Sequence, residues 1–340
     1  MTRGSFAVAA VAVLALLGCP GRRPHPAGEI GSAVARGLAC AAGAYDGNSF
    51  RDDYLRFVYP GEQLGSPLPG HPLTYRTLDA YFIVLMIRQA GVDPGKAGPL
   101  FDRAEAMTAA LVPLWRRSGI YNLRRNPAPG GIALDSYAIL AVLRRDREMA
   151  RVVEAGLDGD GWLPADLYVG DEAFRRLADE SWAARAVLVA DPQAGVRILR
   201  GLCGEITRAL ETEKDTVARA NLVIHALLAL EDLRQVKAQE GAGLAEETRG
   251  PLRAEALRLL REESIRSDTL TLANLVGALL SDPAVGDEIL APQIRELRRR
   301  QDQDGCWQVS VAPADSSGWV FATLRVVLTL GDYQRLRLNS

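Results

Sequence analysis

Six stretches of the chain are apolar on nearly every side of a helix. They are "TLDAYFIVLMIRQAG" from Thr77, "ALDSYAILAVLRRD" from Ala133, "DESWAARAVLVAD" from Asp179, "DTVARANLVIHALLALEDL" from Asp215, "SDTLTLANLVGALLSD" from Ser267 and "DSSGWVFATLRVVLTLGD" from Asp315. The segments between them are apolar on one side only. One places Leu100, Ala104, Met107, Leu111 and Leu114 on one face, with Arg103 and Glu105 opposite; another does the same with Leu252, Ala256, Leu259 and Leu260. A helix that is apolar all round has to be covered all round, whereas a one-sided helix covers something else. The pattern therefore predicts an all-α fold in which buried inner helices alternate with half-exposed outer ones.

The inner segments start roughly 35 to 55 residues apart, a spacing typical of helical repeats. With "EIGSAVARGLACAAGA" from Glu29 as the first outer helix, there are about six of each kind. An (α/α)6 toroid over residues 29–340, six inner helices ringed by six outer ones, buries every inner helix and leaves no open end to cap. An open helical solenoid is the alternative. The charged run 231–250, "EDLRQVKAQEGAGLAEETRG", is expected to be a solvated loop between units.

The stretch "QDQDGCW", Gln301 to Trp307, fits Gln-x-x-x-Gly-x-Trp. It resembles the QW repeat of terpenoid (triterpene) cyclases and the related α/α toroids that include the protein prenyltransferases. The resemblance implies the toroid, with a turn at Gly305 and a tryptophan lying across helix ends. Looser copies are "DGDGWLPADL", with Gly161 and Trp162, and "SGIYNL", with Gly119 and Tyr121.

The catalytic signatures of that superfamily are missing. Asp302-Gln303-Asp304 and Asp158-Gly159-Asp160 stop one carboxylate short of Asp-x-Asp-Asp, and "DDYLR" from Asp52 lacks the last Asp of Asp-Asp-x-x-Asp. Asp304-Gly305-Cys306 has the Asp-x-Cys spacing of a prenyltransferase zinc site, but His25, His71 and His225 all precede it. Cys203-Gly204-Glu205 lacks the glutamine that a thioester needs, and reads as a buried cysteine and a packing glycine. No metal and no cofactor are expected, and whether the chain is an enzyme stays open.

The N-terminus is a separate matter. Arg3 precedes a twelve-residue apolar run, Phe6 to Leu17, which is too short to span a bilayer and suits a signal-peptide core. Leu16-Leu17-Gly18-Cys19 resembles a bacterial lipobox. The resemblance implies a signal peptide over 1–18, a lipid on Cys19, a tether over 19–28 ("CPGRRPHPAG") and an exported protein anchored to the cell envelope. A plain signal peptide is the alternative. Cys40, Cys203 and Cys306 then remain, so at most one disulfide forms. The chain has 340 residues, 24% charged, with a net charge of −2, and shows no nucleic-acid signature.

Candidate chemistry lies near the starts of the inner segments, where an aspartate recurs. Most of these read as helix caps. Asp79 in "LDAY" and Asp135 in "LDSY" instead follow residues that are already helical, each with a tyrosine two positions on. If the inner helices ring a cavity, a rim forms from Asp79, Tyr81, Asp135, Tyr137, Trp182, Arg185, Asn221, His225 and Trp319, with His71, Tyr75 and Arg76 adding an acid/base group and an anion contact. Two functions suit such a rim: binding of a small molecule or glycan, or carbohydrate hydrolysis or elimination with Asp79 and Asp135 as the acid–base pair.

Overall fold

A computed structural model describes residues 26–50, 75–124, 131–163, 173–235, 239–310 and 318–339; at 26, 75–76, 114–124, 131–135, 173–175, 235, 239–242 and 244–245 it describes the backbone. Among the described residues there are thirteen α-helices and no strand, so the fold class is all-α. The signal-peptide region, Cys19, residues 20–25 of the expected tether and the 51–74 connection lie outside the described residues; residues 26–28, expected in the tether, instead begin α1 (Pro26–Gly43), since a proline is well tolerated at the first helical position.

The helices that match the all-round apolar segments are α2 (Tyr75–Gln89), α4 (Gly131–Arg144), α6 (Ala173–Ala190), α8 (Thr216–Gln235), α11 (Thr269–Leu280) and α13 (Trp319–Tyr333). Their packing runs in one order. The first, α2, packs on α4, then α4 on α6, α6 on α8, α8 on α11, α11 on α13, and α13 back on α2. The one-sided helices lie against these: α1 (Pro26–Gly43) on α13, α3 (Gly98–Arg124) on α2 and α4, α5 (Arg147–Glu154) on α4 and α6, α7 (Pro192–Thr212) on α6 and α8, α9 (Gln239–Leu259) mainly on α8, and α12 (Asp287–Arg299) on α11. Leu100, Ala104, Met107 and Leu111 of α3 are buried, as are Leu252, Ala256, Leu259 and Leu260 at the end of α9 and just past it. A short helix α10 (Glu263–Ser267) leads into α11.

Aspartates punctuate the units. Asp146, Asp191 and Asp268 cap α5, α7 and α11, each accepting backbone N–H groups of the first turn at 2.9–3.1 Å. Asp215 accepts from Ala218 N–H at 2.8 Å. Such caps satisfy donors that the helix itself leaves open.

Two turns share one geometry 144 residues apart in sequence (302 minus 158). In the first, Asp158 N–H donates to Trp162 O at 2.8 Å and Gly161 N–H to Asp158 O at 3.0 Å; in the second, Asp302 N–H donates to Cys306 O at 3.0 Å and Gly305 N–H to Asp302 O at 3.1 Å. Gly161 and Gly305 hold the same left-handed conformation, φ 87° and 89°, which favours glycine. The matching then places Leu163 opposite Trp307. Leu163 N–H donates to the Glu180 carboxylate of α6, and Trp307 N–H to Thr323 Oγ1 of α13 at 2.9 Å. The plug of the earlier unit is thus Leu163, and Trp162 stands where Cys306 stands. "SGIYNL" is no third turn: Gly119 and Tyr121 lie inside α3.

Other expectations also change. The run 231–250 is not a loop where it is described, since 231–235 belong to α8 and 239–250 to α9. Its charges and those of neighbouring elements pair with one another, partly out of solvent: Glu231 with Arg234 and the buried Arg249, and the buried Asp282 with Arg253. Gly204 faces open space and packs nothing, although Cys203 beside it is buried. Burial pushes the Cys203 thiol up to about 12, which leaves it unreactive as a nucleophile. Cys40 of α1 and Cys306 form a disulfide between residues 266 positions apart, joining the first described helix to the turn before α13.

Candidate functional site

The expected rim residues go to three different places. Tyr81 is turned away from the inner helices. It is fully buried, its hydroxyl is 3.0 Å from the Tyr45 hydroxyl and donates to Asn48 O at 3.0 Å, so it ties α2 to the segment after α1. Burial raises its phenol well above the ordinary range. Trp319 opens α13 and lines a shallow surface pocket with Ala39, Tyr45, Asp46 and the Cys40–Cys306 bridge. Tyr137 is fully buried in α4. For Tyr75, Arg76 and Asp135 the side chains lie outside the described residues. Asp79 and Asp135 are each the fifth residue of their helix, past the capping position.

The remaining residues converge deeper than the helix starts, in the middle of the inner helices. On α6, Arg185 is 8% exposed and its guanidinium lies over the Trp182 ring, 3.9 Å from the centroid. Its Nε donates to Asp232 Oδ2 of α8 at 2.5 Å. Its Nη1 is buried and finds no hydrogen-bond partner among the described residues. On α8, one turn after Asn221, lies His225. Its carbonyl oxygen accepts from Ser181 Oγ at 3.3 Å, and its ring Nδ1 is buried without a partner. On α13, Arg325 points Nη1 at the sulfur of Met86 on α2, 3.9 Å away.

These groups act on one another across the bundle. Burial first, then the charges of Arg185 and Arg325, push His225 down to about 3, so its imidazole is neutral at physiological pH. Burial likewise lowers Arg325 to about 10; the Asp79 charge opposes that shift and the Arg185 charge adds to it. In the packing order α6 stands opposite α13, and α8 opposite α2, and neither pair makes more than marginal helix contact. Arg185, His225, Arg325 and Asp79 thus sense one another's charge from four different helices. His225 and Arg325 are strongly desolvated yet keep some accessible surface.

Arg325 and Asp232 were not among the residues picked from the sequence. A signal for Arg325 was present: it is the lone cation of a largely apolar helix, and a desolvated arginine needs partners. A neutral, deeply buried histidine between two cations is a poor general acid at neutral pH. The set is suited instead to holding a polar group with fixed donors. Among the described residues no three His, Cys, Asp or Glu side chains converge as a metal-ligand set. No family model matches the chain, and no curated protein is significantly similar to it.

Proposed function

We propose that this chain is an exported, lipid-anchored (α/α)6 toroid whose inner helices enclose a binding site for a small molecule. The observation that carries the binding reading is the pair of buried polar atoms without partners, Arg185 Nη1 and His225 Nδ1, on adjacent inner helices. A buried donor or acceptor left unpaired costs about 1–3 kcal/mol, and of the buried atoms left so these two lie on adjacent helices, which favours a ligand that satisfies both.

Support for the toroid comes from the order of packing, which returns from α13 to α2, and from the turn shared by Asp158–Leu163 and Asp302–Trp307. Support for export comes from the Cys40–Cys306 bridge, since disulfides persist outside the reducing cytosol. Support for the anchor is the sequence before Cys19 alone. No described helix is long and apolar enough to cross a membrane.

Two measurements test the reading. Cys19→Ser should abolish lipid labelling and release the protein from membrane fractions; unchanged fractionation would sink the anchor. Native mass spectrometry of the purified chain should reveal a bound small molecule that Arg185→Gln loses, and a wild-type protein that never carries or takes up any small molecule would remove the binding reading.

A further inference from the structure

We propose that the recess between Arg185 on α6, His225 on α8 and Arg325 on α13 binds an oxyanion group, a carboxylate or a phosphate, carried by a small molecule. The inference rests on the binding reading above and gives its ligand a chemical class.

The donors are in place and incompletely used. A guanidinium offers five N–H donors in a rigid fork. Arg185 is held by Asp232 at Nε and by the Trp182 face, which fixes its plane and leaves Nη1 buried and unmatched. Arg325 Nη1 faces the Met86 thioether sulfur, a weak acceptor. His225 contributes a ring nitrogen with no partner, and the bond from Ser181 Oγ to its main chain fixes the backbone beneath it.

The local charge favours an anion over a neutral group. Asp232 neutralises Arg185 from the Nε side, and Asp79 acts on Arg325 from α2. At His225 both arginine charges are felt. The neighbouring inner helix α11, Thr269 to Leu280, carries no charged residue to offset them. An oxyanion there would accept from Arg185 Nη1, from Arg325 and from the imidazole N–H, and would relieve the repulsion between the two guanidiniums. Charge-assisted bonds of this kind are about twice as strong as neutral ones. A neutral hydroxyl group would pair with the same donors and leave the repulsion intact.

The test uses the full chain with 15N-labelled histidine. Inorganic phosphate and, separately, acetate are titrated against chloride at matched ionic strength, while the His225 ring resonances and the Tm are followed. Saturable movement of the His225 resonances with a rise in Tm is expected, and the probe that saturates at lower concentration tells phosphate from carboxylate. Arg325→Gln should weaken that binding by about tenfold or more, and Arg325→Lys by less. Phosphate and acetate titrations indistinguishable from chloride would overturn the inference, as would an unchanged affinity in Arg325→Gln. Should Arg325→Gln fail to fold, the wild-type titration decides alone. A neutral saccharide that moves His225 where both anions fail would refute the oxyanion and leave the binding reading standing.

Discussion

The indole N–H of Trp307 donates to the carbonyl oxygen of Leu297 at 2.6 Å. Leu297 lies in the last turn of α12, where its carbonyl also accepts from Arg300 N–H at 3.2 Å, so the indole adds a side chain from the next turn to that helix end. The ring is fully buried and presses on α1 at Gly37, where a Cβ would come within 2.6 Å of it. Gln301 works from the same turn: its Nε2 donates to Ala33 O of α1 at 2.8 Å and to Gly305 O at 2.9 Å, while its Oε1 accepts from Arg36. The glutamine, glycine and tryptophan of the motif thus join α1, α12 and α13.

Trp307→Ala should therefore cost roughly 3–5 kcal/mol of unfolding free energy, the range for a large buried aromatic. Trp307→Phe keeps most of the volume and leaves the Leu297 carbonyl the bond from Arg300 N–H at 3.2 Å, so it should cost less than the alanine variant, about 0.5–1.5 kcal/mol. Chemical denaturation of both variants checks the order. A loss under about 1 kcal/mol for the alanine variant would contradict the burial.

Gly37→Ala should destabilise as well, by about 1–3 kcal/mol, because the new methyl group meets Trp307 and Val327 at 2.6 Å with no room to retreat. Equal stability would mean the two side chains relax freely.

The all-α class and the alternation of all-round apolar with one-sided helices were legible because they rest on periodicity, which burial imposes directly. The turn register was misread at one point. Trp162 drew attention by its size, yet the backbone bonds of Asp158 put Leu163 at the plug. Plug identity depends on how far a turn carries the chain, and composition does not encode that. The rim was half legible. Trp182, Arg185 and His225 do converge, but Tyr81 points to the outer layer, since residues of an all-round apolar helix face inward and outward alike and sequence does not say which.

The Cys40–Cys306 bridge closes a separation of 266 residues, so its loss should release a large unfolded-state entropy. Cys40→Ser with Cys306→Ser should lower stability by roughly 2–5 kcal/mol. Thiol counting in denaturant without reductant checks the pairing. Cys203 should react; Cys19 should react with it only where the lipid is missing. Labelling of Cys40 or Cys306 in the unreduced protein would refute the bridge.

His225 makes stability depend on pH. Its value falls from the ordinary 6.5 to about 3 on folding, so the unfolded chain takes up a proton between these values and the folded chain does not. Stability is full above pH 6.5 and falls as pH drops through the window, by at most about 1.4 kcal/mol per unit. Carboxylates held down by arginines, such as Glu255 at about 2, lose their contribution only below their ordinary value of 4.5. Between pH 6.5 and 4.5, then, His225→Gln should show a flatter stability curve than the wild type. Parallel curves for the two proteins would show that His225 takes up a proton in the folded state.

Asp79 connects the site to stability. It lies past the cap of α2, half-buried, and its charge supports that of the desolvated Arg325. If Asp79 served a ligand alone, Asp79→Asn would leave the ligand-free protein as stable as before. The electrostatic link to Arg325 predicts otherwise. Removing the carboxylate leaves a buried guanidinium with less to balance it, for a loss of about 1–3 kcal/mol. Arg325→Met removes the cation and should cost a similar amount by leaving Asp79 unbalanced. Together the two changes remove both charges, so the double variant should lose less than the sum, with a coupling of about 0.5–3 kcal/mol. A double-mutant cycle in the absence of ligand measures that coupling. Strict additivity would mean that Asp79 and Arg325 do not sense each other and that Asp79 belongs to the rim rather than to the charged recess.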